Sequence, residues 1–359
     1  MTVTPVAPLA PVTRRRVVCR RIVRGALGAL VAPGLAAQGA ACAPGSAPAS
    51  GPGQAGPGRT FKIAYLTLGW AGIEVIHQLG LLEQRGWGVA WQAVDTISAL
   101  VTAFGAGQID LLDMSAVIAA QMYEQGLRPA VFGTAAGALG AILVGKDSPI
   151  RAVPELRGKT VAGVPGSTTS QALNAAVRRI HGLDLFTETR FVPGAGPPDV
   201  ANLLAKGDAE AALVWEPTTT QLTRAGAGSI LATQQQLWEQ ATGARGPEVH
   251  AVYAATPQVA QQFPALLRDV NAAQAQVAEL WTRGDPRAVE GMMKVTRLPR
   301  EVVQEALART TPLSGLPDDA IEAILQQLQF NRQYGTILRS DVWTQDPARA
   351  RRELFVKVS

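Results

Sequence analysis

The sequence predicts an α/β fold in which the middle of the chain forms a lobe of its own. From Phe61 onward, short apolar runs of strand length alternate with longer stretches of helical periodicity, as in consecutive βα units. Two stretches with the composition of turns, 145–154 and 243–250, separate a central part of the chain from its two flanks. The 359 residues suffice for about two bodies of roughly 100 to 200 residues each. We therefore expect one lobe from 59–148 plus 250–359 and a second lobe from 149–249.

The residues before 59 are predicted to be an export leader and a tether. A basic region with Arg14, Arg15 and Arg16 is followed by a weakly apolar stretch and then by small residues, and the arginines resemble a twin-arginine signal. We assign 1–41 to this signal and 42–58, rich in Pro, Gly, Ser and Ala, to a flexible tether. The residues before Cys42 resemble a lipoprotein cleavage site, so lipid attachment at Cys42 and ordinary cleavage nearby are both open.

Charge and cysteine usage exclude several classes of function. The leader and tether carry six arginines and no acidic residue, so the formal net charge of +5 belongs to them and the rest of the chain is close to neutral. That balance argues against a nucleic-acid partner. Both cysteines, Cys19 and Cys42, precede the folded part, which therefore has no disulfide and no thiol nucleophile. The three histidines lack partners at metal-ligand spacing, so we expect no metal and no cofactor.

Polar or aromatic residues follow the predicted strands at the points where helices begin. The strand-like runs are 61–68, 108–114, 158–164 and 209–215, and the residues that come after or close them include Trp70, Ser115, Ser167 and Trp215. Open α/β sheets, here expected to be mainly parallel, bind ligands at the carboxyl ends of their strands. These junctions are therefore predicted to form one wall of a binding site.

The junction at 166–170 has more hydroxyl groups than a helix start requires. Ser167 or Thr168 would serve as the N-cap of the helix that follows, with Gly166 allowing an unusual backbone angle. A cap does not require Thr169 or Ser170, and a helix start with free amides and extra hydroxyls binds anions or carbonyl groups. A phosphate cradle and a serine nucleophile at Ser167 are further readings, but no P-loop and no GxSxG motif accompanies them.

The segment Trp215-Glu216-Pro217 has a similar pair of interpretations. Pro217 fits the first position of a helix, and Trp215 would simply pack in the core. The functional interpretation has Trp215 forming an aromatic wall and Glu216 accepting a hydrogen bond from a ligand ammonium or hydroxyl group.

Several segments together resemble the substrate-binding proteins of ABC importers for sulfonates, taurine, nitrate and thiamine-precursor pyrimidines. They are 99–116, with a Gly-Gln-Ile-Asp step, 142–173, with a Gly-Lys-Thr-Val step and the hydroxyl turn, and 203–222, with the aromatic-acid-Pro step. The resemblance covers about 60–260, whereas the last hundred or so residues match only as a helical pattern. Enzymes of thiamine-pyrimidine synthesis share the fold of this family but carry a cysteine-rich iron motif, which the folded part here lacks.

The resemblance implies a two-lobed, periplasmic-binding-protein-like (type II) fold with a ligand cleft between the lobes, and no enzymatic activity. Ser115 would reach the ligand from one lobe, Ser167, Thr168 and Thr169 from the other, and Trp215 and Glu216 would close over it; Trp70 is a further candidate contact. The implied partners are a small organic solute and the permease and ATPase subunits of the importer. We expect an exported monomer, in the periplasm or anchored to the outer side of the cytoplasmic membrane by lipid alone. A sensor subunit of the same fold and an enzyme with Ser167 as nucleophile are the alternatives.

Overall fold

The computed structural model describes residues 59–67 and 69–358 and arranges them around two five-stranded sheets. The predicted signal, the tether and Cys42 lie outside the described residues. The first sheet contains β1 (Thr60–Leu66), β2 (Gly88–Val94), β3 (Leu111–Ser115), β4 (Ala130–Gly137) and β10 (Val249–Ala255). The second contains β5 (Gly140–Gly145), β6 (Thr160–Gly163), β7 (Arg190–Pro193), β8 (Ala211–Trp215) and β9 (Gly228–Thr233).

Helices cover both faces of each sheet. Those between the strands are α1 (Ile73–Gln78), α2 (Ile97–Gly105), α3 (Ala116–Glu124), α4 (Thr168–His181), α5 (Pro197–Lys206), α6 (Thr218–Arg224) and α7 (Gln234–Thr242). Those after β10 are α8 (Pro257–Gln262), α9 (Pro264–Thr282), α10 (Pro286–Thr296), α11 (Arg300–Arg309), α12 (Asp318–Tyr334), α13 (Val342–Gln345) and α14 (Pro347–Leu354). The alternation of side chains along a strand explains the layers: Leu111 and Leu112, neighbours in β3, belong to separate hydrophobic clusters on opposite faces of the first sheet.

The two sheets have the same plan, with strand orders β2-β1-β3-β10-β4 and β7-β6-β8-β5-β9. The sequence predicts mainly parallel sheets, but β10 and β5 each run antiparallel to both of their neighbours. The reason is that each of them arrives from the other sheet and starts at the edge where the parallel strands end. Ala251 near the start of β10 lies opposite Ser115 at the end of β3, and Gly140 at the start of β5 lies opposite Trp215 at the end of β8.

The chain passes from the first sheet to the second earlier than the sequence predicts. The predicted crossover at 145–154 follows β5, whose partners β8 and β9 are in the second sheet, so the change of sheets occurs at 138–139. The stretch 145–154 is instead a surface turn that leads into a short 3-10 helix, Val153–Leu156. The return to the first sheet lies between α7 and β10, within the predicted stretch 243–250.

A buried hydrogen-bond network, here called the crossover network, joins the two points where the chain changes sheets. The Gly140 amide donates to Gln234 Oε1 at 3.1 Å, and Gln234 Nε2 donates to Glu248 Oε2 at 2.9 Å. Gln327 of α12 donates through Nε2 to Glu248 Oε1 at 2.8 Å. A Cβ at position 140 would lie 2.4 Å from Thr169 Cγ2 and 2.5 Å from Gln234 Oε1, so only glycine fits there.

The end of α12 packs against the second sheet, although most of this helix packs against the first. Phe330 meets Trp238 of α7 edge to face with ring centroids 5.5 Å apart. Arg178 of α4 donates to the Tyr334 carbonyl at 3.1 Å, and Thr336 Oγ1 donates to Gln171 Oε1 at 2.6 Å. These contacts connect the C-terminal region to the central part of the chain.

Gln274 connects α9 to two strands of the first sheet, β4 and β10, and to the loops before α1 and before α12. Its fully buried side chain accepts a hydrogen bond from the Tyr253 hydroxyl at 2.7 Å. Its amide nitrogen donates to the carbonyls of Ala135 and Leu313 at 2.9 Å and of Ala71 at 3.3 Å. The bond to Ala71 fixes the segment that leads into α1.

Replacing Gln274 by leucine should lower the free energy of unfolding by about 3 kcal/mol. The variant keeps the volume but removes the acceptor of the Tyr253 hydroxyl and the amide that bonds the Ala71 and Leu313 carbonyls, whereas the Ala135 carbonyl keeps the Leu313 amide. Urea unfolding should show a lower midpoint and an unchanged m-value. Gln276→Leu on the same helix is the control, because among the described residues the Gln276 side chain accepts a single bond, of 3.3 Å, from Arg85. Equal stability of the two variants would contradict the role given to Gln274.

Glu248 should make the stability of the folded chain depend on pH. Burial raises the pKa of Glu248 from 4.5 to about 7, despite the bonds from Gln234 and Gln327. Its contribution to stability is therefore fully present below about pH 4.5 and is lost as the pH rises through about 7. We expect Glu248→Gln to remove this loss, which amounts to about 3 kcal/mol. The new amide N–H at position 248 needs an acceptor. Rotation of the Gln327 amide supplies one, since Gln327 Oε1 has no partner among the described residues.

Urea unfolding of the wild type and of Glu248→Gln, at about pH 5 and about pH 8, tests this expectation. The variant should gain stability relative to the wild type at the higher pH and match it at the lower one. Glu239→Gln on α7 is the control, because the Glu239 side chain is exposed and its one side-chain hydrogen bond within the described part of the chain comes from Gln235. A constant difference between Glu248→Gln and wild type at both pH values would contradict the prediction.

Candidate functional site

A cavity of about 380 Å³ lies between the carboxyl ends of the strands of the two sheets. Its volume is within the range usual for small-molecule sites. On the side of the first sheet it is lined by Leu66, Gly69, Trp70, Asp95, Thr96, Asp113, Ser115 and His250, among others. On the side of the second sheet it is lined by Val164, Ser167, Thr168, Thr169, Gly196 and Trp215, among others. Residues from both sheets therefore face a common space.

The predicted hydroxyl turn lies at the N-terminus of α4 and faces the cavity. Ser167 is the N-cap, and its Oγ accepts a hydrogen bond from the Ser170 amide at 3.0 Å. Ser170 is fully buried beneath it, with its Oγ 3.0 Å from Ser167 Oγ. Thr168 and Thr169 line the cavity without serving as the cap. The hydroxyl of Ser167 thus caps the helix at the cavity wall, that of Ser170 lies beneath it, and those of Thr168 and Thr169 lie beside it.

Ser115 has the corresponding position in the first sheet. It ends β3 and caps α3, where its Oγ accepts from the Ile118 amide at 3.1 Å. Thr96 caps α2 in the same way, by accepting from the Ala99 amide at 3.2 Å. Helix N-termini from both sheets, with their partial positive charge, therefore converge on the cavity.

The two predicted tryptophans contribute apolar walls. Trp70 is almost fully buried, packs edge to face on Trp281 at 6.1 Å, and has an indole N–H without a partner among the described residues. Trp215 ends β8 of the second sheet, yet it packs against the hydrophobic cluster of the first. Trp215 thus crosses the cavity from one sheet to the other.

Glu216 does not line the cavity, contrary to the position that the sequence suggests for it. Its Oε2 accepts from the Thr220 amide at 3.2 Å, at the start of α6, and its Oε1 lies 4.0 Å from Arg309 Nε of α11. Burial raises the pKa of Glu216 to about 7, and Thr220 and Arg309 limit this rise. Pro217, rather than occupying the first helical position, is the N-cap of α6. Because β8 ends at Trp215, the next side chain turns away from the cavity and toward the helices.

Sequence reasoning missed two buried acids, Glu74 and Asp113, here called the acid pair. Asp113 lines the cavity although only 4% of it is exposed, and Glu74 is fully buried at the start of α1. The Gly72 amide donates to Glu74 Oε2 at 3.0 Å, whereas Glu74 Oε1 and Asp113 Oδ1 have no partner among the described residues. Burial raises the pKa of both, and the charge of Glu74 adds to the effect on Asp113. The available signal was an aspartate within an otherwise apolar strand.

His250 is another residue of the cavity wall that the sequence did not single out. It lies in β10, next to Ala251, which pairs with Ser115. Burial lowers the pKa of His250 to about 4, so its imidazole is neutral at physiological pH. A neutral imidazole both donates and accepts hydrogen bonds, and it adds no positive charge to the wall.

The described part of the chain contains no cluster of three or more His, Cys, Asp or Glu side chains arranged to hold a metal ion. Among the same residues, no helix combines the length and the apolar character needed to cross a bilayer.

The fold is similar to that of solved solute-binding proteins. The alkanesulfonate-binding protein SsuA from Xanthomonas axonopodis pv. citri, bound to MOPS, has a TM-score of 0.69 and 21% identity, over 84% of this chain and 100% of that chain. The aliphatic sulphonate binding protein SsuA from Escherichia coli has a TM-score of 0.65 and 21% identity, over 76% and 87%. The nitrate-binding protein NrtA from Synechocystis PCC 6803 has a TM-score of 0.63 and 16% identity, over 82% and 86%. These structures confirm the predicted periplasmic-binding-protein-like fold.

The chain has no match among curated proteins. A family model described as "ABC transporter, phosphonate, periplasmic substrate-binding protein" matches residues 81–281, more than half of the chain. The match includes β2 to β10, both crossovers and most of the residues that line the cavity. The protein is therefore a member of this family of periplasmic substrate-binding proteins of ABC transporters.

Proposed function

We propose that the protein captures a small organic solute between two lobes outside the cytoplasmic membrane and delivers it to the permease of an ABC importer. The observation that carries the proposal is the cavity of about 380 Å³, because both sheets contribute to its walls. The proposed lobes follow the sheets: the first holds 59–137 and 249–358, and the second holds 140–247. Ligand contacts from both lobes would favour the closed state, which the permease would read.

In this proposal the hydroxyl turn binds one end of the solute. Ser167, Thr168 and Thr169 offer hydroxyl groups beside the N-terminal amides of α4, which suit a carbonyl, sulfonate or other acceptor group. Ser115 would add a contact from the first lobe, and Trp70 and Trp215 would enclose the apolar part of the solute.

The solute is proposed to be a sulfonate-like or taurine-like zwitterion or a heteroaromatic amine. No lysine or arginine is among the described residues that line the cavity, so an anionic group would depend on amides and hydroxyls. The side of the first sheet carries two acidic side chains, Asp95 and Asp113, which suit a hydrogen-bond donor or a cationic group better than a second anionic group. Nitrate fits this combination less well than a solute that carries an amine nitrogen with N–H donors besides its acceptor group.

In this proposal Glu216 does not contact the solute but helps to hold the two lobes in the closed state. It belongs to a group of charges between α6 of the second lobe and α11 of the first. Arg224 of α6 lies 3.0 Å from Glu305 of α11, and Arg309 lies 2.7 Å from Glu305 and 4.0 Å from Glu216. We propose that these ion pairs hold the lobes together on the side of α6.

The export signal and the tether fit a protein that waits beside its permease, with or without a lipid on Cys42. A sensor subunit that binds the same solute would need the same cavity, and the presence of permease and ATPase genes next to this gene would favour transport. The enzyme alternative finds less support, since Ser167 Oγ serves the helix as a cap.

Calorimetry with taurine, alkanesulfonates, aminoethylphosphonate, nitrate and aminopyrimidines should find at least one solute with micromolar affinity. Thr168→Val should weaken its binding about tenfold, because the variant keeps the shape of the side chain and removes one hydroxyl at the wall. Thr282→Val at the exposed end of α9 is the matched control and should bind as the wild type does. The absence of any binder would contradict the proposed function.

Glu305→Ala should weaken solute binding about threefold to tenfold and reduce the compaction that a bound solute causes. The change removes the partner of Arg224 and one partner of Arg309, which favour the closed state in this proposal. Small-angle scattering with and without solute measures the compaction. Glu301→Ala, at an exposed position of the same helix, is the control. Compaction equal to that of the wild type would argue against this contact as a closure element.

A further inference from the structure

We propose that Asp113, supported by Glu74, is a subsite that binds a protonated nitrogen of the solute at the wall formed by the first sheet. This inference rests on the proposed function and names the chemical group that the first lobe recognises. No part of the argument for solute capture depends on it, so the two can fail separately.

The strand geometry places Asp113 at the cavity. Alternation along β3 puts Leu111, Asp113 and Ser115 on one face, and Ser115 is the residue with which the strand ends. Asp113 pairs across the sheet with Tyr253 of β10. It is more than nine-tenths buried, lines the cavity, and has an oxygen, Oδ1, without a partner among the described residues.

Glu74 brings a second carboxylate to the same point of the wall. A Cβ at Gly69 would lie 3.0 Å from Glu74 Oε1 and 3.7 Å from Asp113 Oδ2, so both oxygens lie close to this glycine. It would also lie 2.9 Å from the Leu66 carbonyl. The two carboxylates therefore lie beside Gly69 at the cavity wall, together with the Leu66 carbonyl, which accepts from the Gly69 amide at 2.8 Å. Neighbouring acceptor oxygens of this kind suit the several N–H groups of an ammonium or amidinium ion.

No cation of the described residues compensates the acid pair. The titratable groups that face it are Tyr65 of β1 and Tyr253 of β10, and the charges that act on these two tyrosines are those of Glu74 and Asp113 themselves. Tyr253 donates its hydrogen to Gln274, and the Tyr65 hydroxyl bonds His77 Nδ1, so neither hydroxyl serves the pair. Buried carboxylates without a counter-ion are costly, and a cationic group of the solute would remove that cost.

The two walls of the cavity thus suit opposite ends of one molecule. The side of the first sheet presents Asp113, with Glu74 of α1 behind it, and the side of the second presents the hydroxyls and amides at the start of α4. A metal ion suits the pair less well, because the described residues offer no third His, Cys, Asp or Glu side chain arranged to complete a metal site there. The solute is therefore a small molecule with a protonated nitrogen toward Asp113 and an acceptor group toward Ser167.

Binding should be coupled to the release of a proton. Burial raises the pKa of Glu74, and the backbone amides of Ala71, Gly72 and Glu74 limit this rise. Burial and the charge of Glu74 raise the pKa of Asp113 well above its usual range. Asp113 therefore favours its protonated form in the empty protein, and a cationic nitrogen that favours the charged form displaces the proton. The affinity should rise with pH until the nitrogen of the solute itself loses its proton.

The experiment compares matched compounds that differ in one nitrogen, on the wild type and on Asp113→Asn. The pairs are taurine and ethanesulfonate, aminoethylphosphonate and ethylphosphonate, and an aminopyrimidine and its methyl analogue. We expect the binders to be the amines, and we expect Asp113→Asn to weaken the tightest of them roughly 100-fold. Calorimetry in buffers of different ionisation enthalpy should detect proton release in the wild type and not in the variant.

Asp113→Asn should fold, because it replaces a buried acid by a neutral group of the same shape, and its thermal unfolding checks this. Glu74→Gln should weaken the same binder less than Asp113→Asn does, and Asp110→Asn, before the same strand, should leave binding unchanged. A binder without a protonated nitrogen, or one that Asp113→Asn binds as tightly as the wild type does, would overturn this inference and leave the proposed function intact. A panel without binders would overturn both.

Discussion

The hydrogen bonds of Gln234 at the two crossovers are the contacts on which the arrangement of the rest depends. Gln234 accepts from the backbone of Gly140, where the chain enters the second sheet, and donates to Glu248, where it leaves. Because both crossovers start strands that run antiparallel to their neighbours, the same bonds fix where β5 and β10 begin. The ends of β3 and β8, which carry Ser115 and Trp215, lie opposite these starts. The position of the cavity is thus a consequence of how the crossovers are held.

The electrostatics of the cavity depend on helix ends and carboxylates rather than on basic side chains. The described residues that line the cavity include two aspartates but no lysine or arginine. They also include His250, whose imidazole is neutral because burial lowers its pKa. The positive potential comes from the N-termini of α2, α3 and α4. The backbone amides there are fixed in place, so this potential does not depend on a flexible charged side chain. A wall of this kind discriminates by the direction of its hydrogen bonds, and water can replace a poor ligand at little cost.

Much of this architecture follows from local sequence patterns. The remainder depends on contacts between residues that lie far apart in the sequence. The cap at Ser167 and the strand before it were predictable because a strand, a glycine and hydroxyls stand next to one another. The first crossover was not, because the apolar run of β5 fits either sheet and only its pairing with β8 decides. Glu216 faces Arg309, which is far away in the sequence, so no local pattern could show that it turns from the cavity. Asp113 carried a signal, yet its meaning required the position of Glu74.

The end of α12 gives the proposed lobe motion a direction. Phe330 and Tyr334 hold this helix against α7 and α4 of the central part, while the rest of the helix packs on the first sheet. Two backbone crossovers alone would permit the lobes to twist as well as to open. In the proposed motion, a third attachment by this helix would suppress the twist and leave rotation about a single axis. Such a rotation would open the cavity on one side only, so the solute would enter and leave through the same mouth.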